Sequence, residues 1–256
     1  MSLTLVARAR PGPTGTALLL APVGVLAGWA IMRLGGSRSA GAGWVAAHAV
    51  WIVGWGLFGL IITELWRRAG GSRPAGGSPR AEGSRPAGGS PRAGESSAPT
   101  APARHNPAGR AGGSGRAAVA ATAGAVVAAA GLLAVLGQMV VDIVVGVAAP
   151  DRARMNELFE QAFRIPGVHP VLYGFGPLLL IAGLVALFVQ LAVLHRVRPG
   201  TTVLAVLGLL LISADTTVGP VARLVVMPAG LLCLWLSFSA LVDADTAGRG
   251  RERAPA

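Results

Sequence analysis

Six stretches of this chain, 13–34, 44–66, 118–148, 170–194, 201–218 and 221–242, are almost free of charged side chains. A helix needs about 20 predominantly apolar residues to cross a bilayer core. In hydrocarbon the backbone N–H and C=O groups have no water to bond, so a run of this kind must satisfy them within itself, as a helix. Composition agrees. Only 13% of residues are charged and mean hydropathy is +0.61, where a soluble domain carries about 25% charged residues. The expected fold is therefore all-α: a polytopic membrane bundle of six transmembrane helices, with one short outer interfacial helix and a disordered cytoplasmic linker.

These expectations divide the chain. Residues 1–68 form a first transmembrane hairpin, 69–116 the linker, 117–244 a four-helix transmembrane part and 245–256 a disordered tail. The first apolar run follows Arg8 and Arg10, as a secretory signal would. It is long and has no small-x-small cleavage site, so it reads as a retained helix.

The net charge of +11 raises the question of nucleic acid. All 22 basic residues are arginine, and nine of them (67, 68, 73, 80, 85, 92, 104, 110 and 116) fall in the Gly/Pro/Ser-rich segment. No aromatic residue interleaves them, so there is no platform on which bases could stack. The lipid bilayer, not nucleic acid, is the expected partner. With six spans the termini share a side with the linker, and that side holds sixteen of the 22 arginines. The positive-inside rule then places both termini and the linker in the cytoplasm, with the cell membrane as location. Without the linker the bias is only seven of thirteen.

Residues 71–81, "GSRPAGGSPRA", recur at 83–93. Glycine and serine keep such a chain flexible, proline opposes helix and nothing apolar is available to bury. It reads as an expansion in an insertion-tolerant loop or as a basic tether to anionic headgroups. Residues 151–165, "DRARMNELFEQAFRI", differ. Met155, Leu158, Phe159, Ala162 and Phe163 recur at helical spacing and Asp151 is placed to cap the start. The segment is too short and polar to span, and reads as a connector, or a lid, at the outer interface.

The second apolar run contains "GWVAAHAVWIVGWG". At 100° per residue Trp44, His48, Trp51 and Trp55 share one helix face. Packing against neighbouring helices is the simpler reading of Trp51 and Trp55; lining a pocket is the other. Several polar residues reach a depth similar to that of His48: Asp142 with Gln138 one turn away, Asp215, Thr216 and Thr217 closing the fifth run, Arg223 opening the sixth, and His169 before the fourth. Ionisable residues inside spans are costly, which makes them candidates for a site. Gly219-Pro220 is the turn between Asp215 and Arg223, so the two are expected to pair. Glu64 has Arg68 at i+4, a pairing distance.

The candidate ligand-binding set is His48, Trp51, Trp55, Gln138, Asp142, Asp215 and Arg223, with Asp142 and Asp215 as candidate catalytic acids. His48 and Asp142 would share a proton beside a pocket lined by Trp51, or His48 would only cap the aromatic stripe. The single cysteine, Cys233, excludes an intramolecular disulfide and a multi-cysteine metal site. No metal-ligand spacing or phosphate-cradling loop is present, and no cofactor is expected.

The runs "AAHAVWIVGWGLFGLIITELWRR" (46–68), "VVDIVVGVAAP" (140–150) and "HPVLYGFGPLLLIAGL" (169–184) resemble uncharacterised six-span integral membrane proteins of high-GC actinobacteria. That resemblance implies membrane location and architecture and carries no activity. Three functions remain. The leading one is a non-enzymatic protein that binds or passes a small-molecule or lipidic ligand at an outward-facing polar pocket. The second is an intramembrane enzyme on a lipid or isoprenoid, acid-initiated in the manner of a terpene cyclase. The third is an accessory subunit. A closed cavity with an unpaired acid beside Trp51 or Trp55 would favour the enzyme, a path to Glu64 transport, and a packed centre with every acid paired the accessory role.

Overall fold

A computed structural model describes residues 12–36, 41–71, 108–215 and 217–252. The tandem repeat lies outside the described residues from Ser72 onward, as does Thr216. The described chain is all-helical. Its α-helices are α1 (Pro13–Ile31), α2 (Ala42–Trp66), α3 (Ala108–Ala148), α4 (Arg152–Phe163), α5 (Gly176–Val193), α6 (Pro199–Ala214) and α7 (Pro220–Glu252). Wider π-helical turns extend α1 and α2 and precede α5, the last spanning Val168–Phe175.

Five helices are long and apolar enough to cross a membrane, over Pro13–Gly35, Ala42–Gly70, Gly115–Ala148, Val168–Val193 and Pro220–Thr246. This is a membrane protein. Large apolar side chains such as Val53, Leu133 and Leu210 face outward, each more than half exposed, as lipid contact allows. The run expected to span 201–218 forms the shorter α6, 16 residues long. At 1.5 Å per residue it rises about 24 Å. It stops because the chain turns before Pro220: Thr217 and Val218 both donate their N–H to Ala214 O.

Two boundaries differ from expectation. α3 begins at Ala108, so residues 108–116 belong to a helix and not to the linker. Four of these nine residues are glycine, which disfavours helix, so the segment continues as an extension of a helix already nucleated and anchored in the bundle. α7 likewise runs past 244 to Glu252, through the segment expected as tail. Arg68 holds it there by an ion pair with Asp245.

Six helices form a closed ring in chain order: α1 touches α2, α2 touches α3, then α3–α5, α5–α6, α6–α7, and α7 returns to α1. Three neighbouring pairs meet through small residues. A Cβ on Gly131 of α3 would lie 2.1 Å from Leu180 N of α5, and one on Gly183 would lie 2.3 Å from Ala128 N. Gly24 and Gly54 join α1 to α2, and Gly208 and Gly230 join α6 to α7, at similar range. In lipid there is no hydrophobic drive between helices, so close backbone approach of this kind supplies much of the packing.

The ring is filled unevenly. Toward the end where α2 stops, Phe58, Phe188 and Phe238 come from three helices and are fully buried. Phe238 lies 6.1 Å from Phe58 and 6.0 Å from Phe188, centroid to centroid. Toward the other end the ring holds a cavity.

α4 has the expected cap: Asp151 accepts the Arg154 N–H at 2.8 Å. Its apolar face folds back on the end of α3, with Met155 buried against Val145 and Ala149. Phe159 reaches Trp44, and Phe163 reaches the ring of Tyr173 at 5.0 Å.

Candidate functional site

His48 points inward from α2 and Asp142 from α3. Their side chains meet, Nε2 to Oδ2, at 3.2 Å, and the residues are 2% and 5% exposed. The other histidine nitrogen, Nδ1, lies 2.8 Å from Trp44 O, one turn back in the same helix. A carbonyl only accepts, so Nδ1 carries a hydrogen. Nε2 faces Oδ2 at hydrogen-bonding range, and a buried imidazole beside a carboxyl group is a partnership that makes both tolerable away from water.

The second carboxyl oxygen is also taken. Tyr173 donates its O–H to Asp142 Oδ1 at 2.6 Å. Tyr173 is carried by the Val168–Phe175 π-turn. That turn opens at Gly167, whose φ of +90° suits glycine, and contains Pro170, which has no N–H to give. Such π-turns recur at functional sites. The result is a hydrogen-bonded chain, Tyr173–Asp142–His48, with Trp44 and Trp51 on either side of the imidazole at 4.5 and 5.1 Å.

The tryptophan stripe divides its work. Trp44 lies on Gly146 of α3 and donates its indole N–H to Asp142 O at 2.7 Å. Trp51 lies on Gly28 of α1 and donates to Val25 O at 2.8 Å. Both pack into glycine notches and satisfy their one donor on a neighbouring backbone. Trp51 does more than pack, because it also lines the cavity, as does Trp55.

The cavity has a volume of ≈ 480 Å³, inside the range of about 300–1,000 Å³ usual for small-molecule sites. All six ring helices line it: Trp29 from α1, Trp51 and Trp55 from α2, Gln138 from α3, Leu184 from α5, Ser213 from α6 and Met227 from α7. Asp215, just past the end of α6, and Tyr173 also line it. The cavity is partly open: Leu178 lines it and is 60% exposed.

Of the residues singled out by sequence, Trp51, Trp55, Gln138 and Asp215 meet at the cavity, while His48 and Asp142 meet behind it. Tyr173 joins the two groups. Arg223 does not line the cavity; its Nε–H goes to Val218 O at 3.1 Å. The expected ion pair with Asp215 does not form among the described residues. α6 ends at Ala214, which leaves Asp215 at the turn and lining the cavity, while the Arg223 side chain folds back over the same turn. Asp215 Oδ1 is buried and has no hydrogen-bond partner.

Tyr173 and Trp29 were not singled out. Tyr173 is the chain's only tyrosine, and a lone phenol in an apolar run beside a π-prone His-Pro was the signal to weigh. Nothing local marks Trp29.

Glu64 is at the other end. Arg68 Nε reaches its Oε1 at 2.8 Å and Arg67 Nη1 its Oε2 at 3.2 Å, so the i+4 pair forms with an added partner. A second, smaller cavity of ≈ 200 Å³ lies there and shares no lining residue with the first. Among the described residues no group of three or more His, Cys, Asp or Glu side chains is placed to hold a metal ion. Comparison with protein-family models, with curated proteins and with solved structures returned no match.

Proposed function

We propose that this chain is a six-span protein of the cell membrane, termini in the cytoplasm, that binds a small lipidic ligand in the cavity at its extracytoplasmic end. α6 serves as the sixth span, local bilayer thinning making up for its length, and α4 lies at the outer interface. The cavity carries the reading: apolar walls from every ring helix and a few polar groups among them. The buried cluster of Phe58, Phe188 and Phe238 and the separate second cavity favour holding a ligand over passing one through the bundle.

The test is the ligand itself. Protein purified in its native lipids should retain a bound lipid at near-stoichiometric amount by native mass spectrometry. Val135→Phe, which projects a ring into the cavity, should lose it while keeping its helical content. A bound lipid retained equally by both proteins would show that the cavity is not where it binds. For the threading, Ser78→Cys in a Cys233→Ser background should react with an impermeant thiol reagent only from the cytoplasmic side.

One observation favours the acid-initiated enzyme as a second reading. Tyr173 lines the cavity and its hydroxyl is bonded to Asp142, so a substrate seated against that hydroxyl would take the phenol proton while a protonated Asp142 replaces it. Turnover of a lipidic substrate, abolished by Tyr173→Phe and unaffected by Arg68→Gln, would establish it.

A further inference from the structure

Every ring helix walls the ≈ 480 Å³ cavity, but among its described lining residues only Gly174 and Leu178 are exposed. Both belong to one stretch, the end of the π-turn and the start of α5. The opening therefore lies on one side of the bundle, and the packing of α5 says which. Gly176, Leu180, Gly183 and Leu187 form the face of α5 that meets Ala134, Gly131, Ala128 and Gly124 of α3. At 100° per residue Leu178 lies across the helix from that face, about 140–180° away. In the closed ring the neighbour of α5 on that side is α6.

α5 and α6 are the least closely packed neighbours of the ring. Small residues let helix backbones close up in lipid, but Gly176 and Gly183 of α5 face α3, and Gly208 of α6 faces α7. Thr202 Oγ1 of α6 reaches Phe188 O of α5 at 3.4 Å. That contact is near the start of α6, whereas the cavity is lined by its far half, from Leu209 to Asp215. The two helices thus touch at one end and part beside the cavity.

The surroundings of the opening are hydrocarbon-like. From Val193, where α5 ends, to Leu178 is fifteen residues, about 22 Å of helix. A bilayer core is about 30 Å thick, so with α5 crossing it Leu178 lies within the core. The large exposed side chains beside it are apolar: Phe175 and Leu179 on α5, and Leu210 on α6, one turn from the cavity-lining Ser213. A mouth facing water at this place would bury no apolar surface and leave all of these side chains wet.

We propose that the seam between α5 and α6 is a lateral portal, gated by the Leu178 side chain, through which a molecule dissolved among the lipid chains enters the cavity without crossing water. This rests on the reading of the cavity as a ligand site and deepens it: the ligand is a component of the bilayer that leads with hydrocarbon, not a solute of the aqueous phase.

The test is the rate at which a lipid-dissolved reagent reaches the cavity wall. Met227→Cys in a Cys233→Ser background places the only thiol there. In lipid nanodiscs it should be alkylated by N-dodecylmaleimide. Leu178→Trp should slow that reaction roughly tenfold, the scale of an overpacked apolar contact, and Leu178→Ala should speed it. Leu178 is exposed, so neither change disturbs the core. Val189→Trp, at another lipid-facing position of α5, should leave the rate unchanged, whereas Val135→Phe should slow it by filling the cavity. A rate slowed by Val135→Phe but indifferent to Leu178→Trp, or slowed equally by Val189→Trp, would keep the cavity and overturn the portal. A rate indifferent to Val135→Phe would defeat the cavity reading and the portal with it.

Discussion

The two ends of the bundle treat an acid differently. At the Glu64 end the carboxylate meets Arg67 and Arg68, and Arg68 reaches on to Asp245 of α7. Arg67 and Asp245 are well exposed there. At the His48 end Asp142 is 5% exposed and its partners are an imidazole and a phenol, while Asp215 Oδ1 has none. Charges that water and arginine can screen close one end. At the other, Asp142 sits among hydrogen-bonding rings, behind a cavity that Asp215 lines. Between them Phe58, Phe188 and Phe238 keep the two environments apart. The lesson is that in a membrane chain the position of an acid says little until its partners are known: at one end the partners are guanidinium groups, at the other an imidazole and a phenol.

Removing the divider should have the largest effect. Phe238→Ala deletes the ring that contacts the other two, and should cost about 3–5 kcal/mol of stability. It should also open a route between the cavities. Thermal unfolding in nanodiscs would report the first, and proton or ion leak in proteoliposomes the second.

At the His48 end, His48→Ala leaves one buried oxygen of Asp142 without its partner and should cost about 1–3 kcal/mol. Adding Asp142→Asn should cost less than the two singles summed, because the pair acts as a unit. Additive losses in that double-mutant cycle would mean that the two side chains are neighbours without a shared proton.

The smallest effect belongs to the Glu64 end, where Arg67 remains as a partner for the carboxylate. Arg68→Gln should cost about 0.5–1 kcal/mol. A loss as large as that of His48→Ala would erase the distinction between the ends.

Much of this was legible in sequence. Apolar run length located the helices, because hydrocarbon thickness fixes how many residues a span needs. Helical spacing put Trp44, His48, Trp51 and Trp55 on one face, and similar depth brought His48 to Asp142. What failed was local geometry at helix ends. The turn before Pro220 was visible, but not that α6 would stop at Ala214 and leave Asp215 lining the cavity instead of paired with Arg223. Tyr173 was hidden because a π-turn changes the angular spacing on which face assignments rest. Trp29 was hidden because lining a cavity is a property of three-dimensional surroundings, invisible in any window of residues. The start of α3 and the end of α7 were missed because a helix anchored by packing continues into sequence that would not form one alone.

The central claim is a partly open cavity near one end of the bundle that takes a lipidic ligand. It is tested most directly at Ser213, a small residue on its wall. In a Cys233→Ser background, Ser213→Cys should react with a membrane-impermeant maleimide from the extracytoplasmic side only. Adding Val135→Phe, or saturating the membrane with the bound lipid, should slow that reaction roughly tenfold, the effect of about 1.4 kcal/mol of occlusion. Reaction from both sides, or a rate indifferent to filling the cavity, would contradict the account.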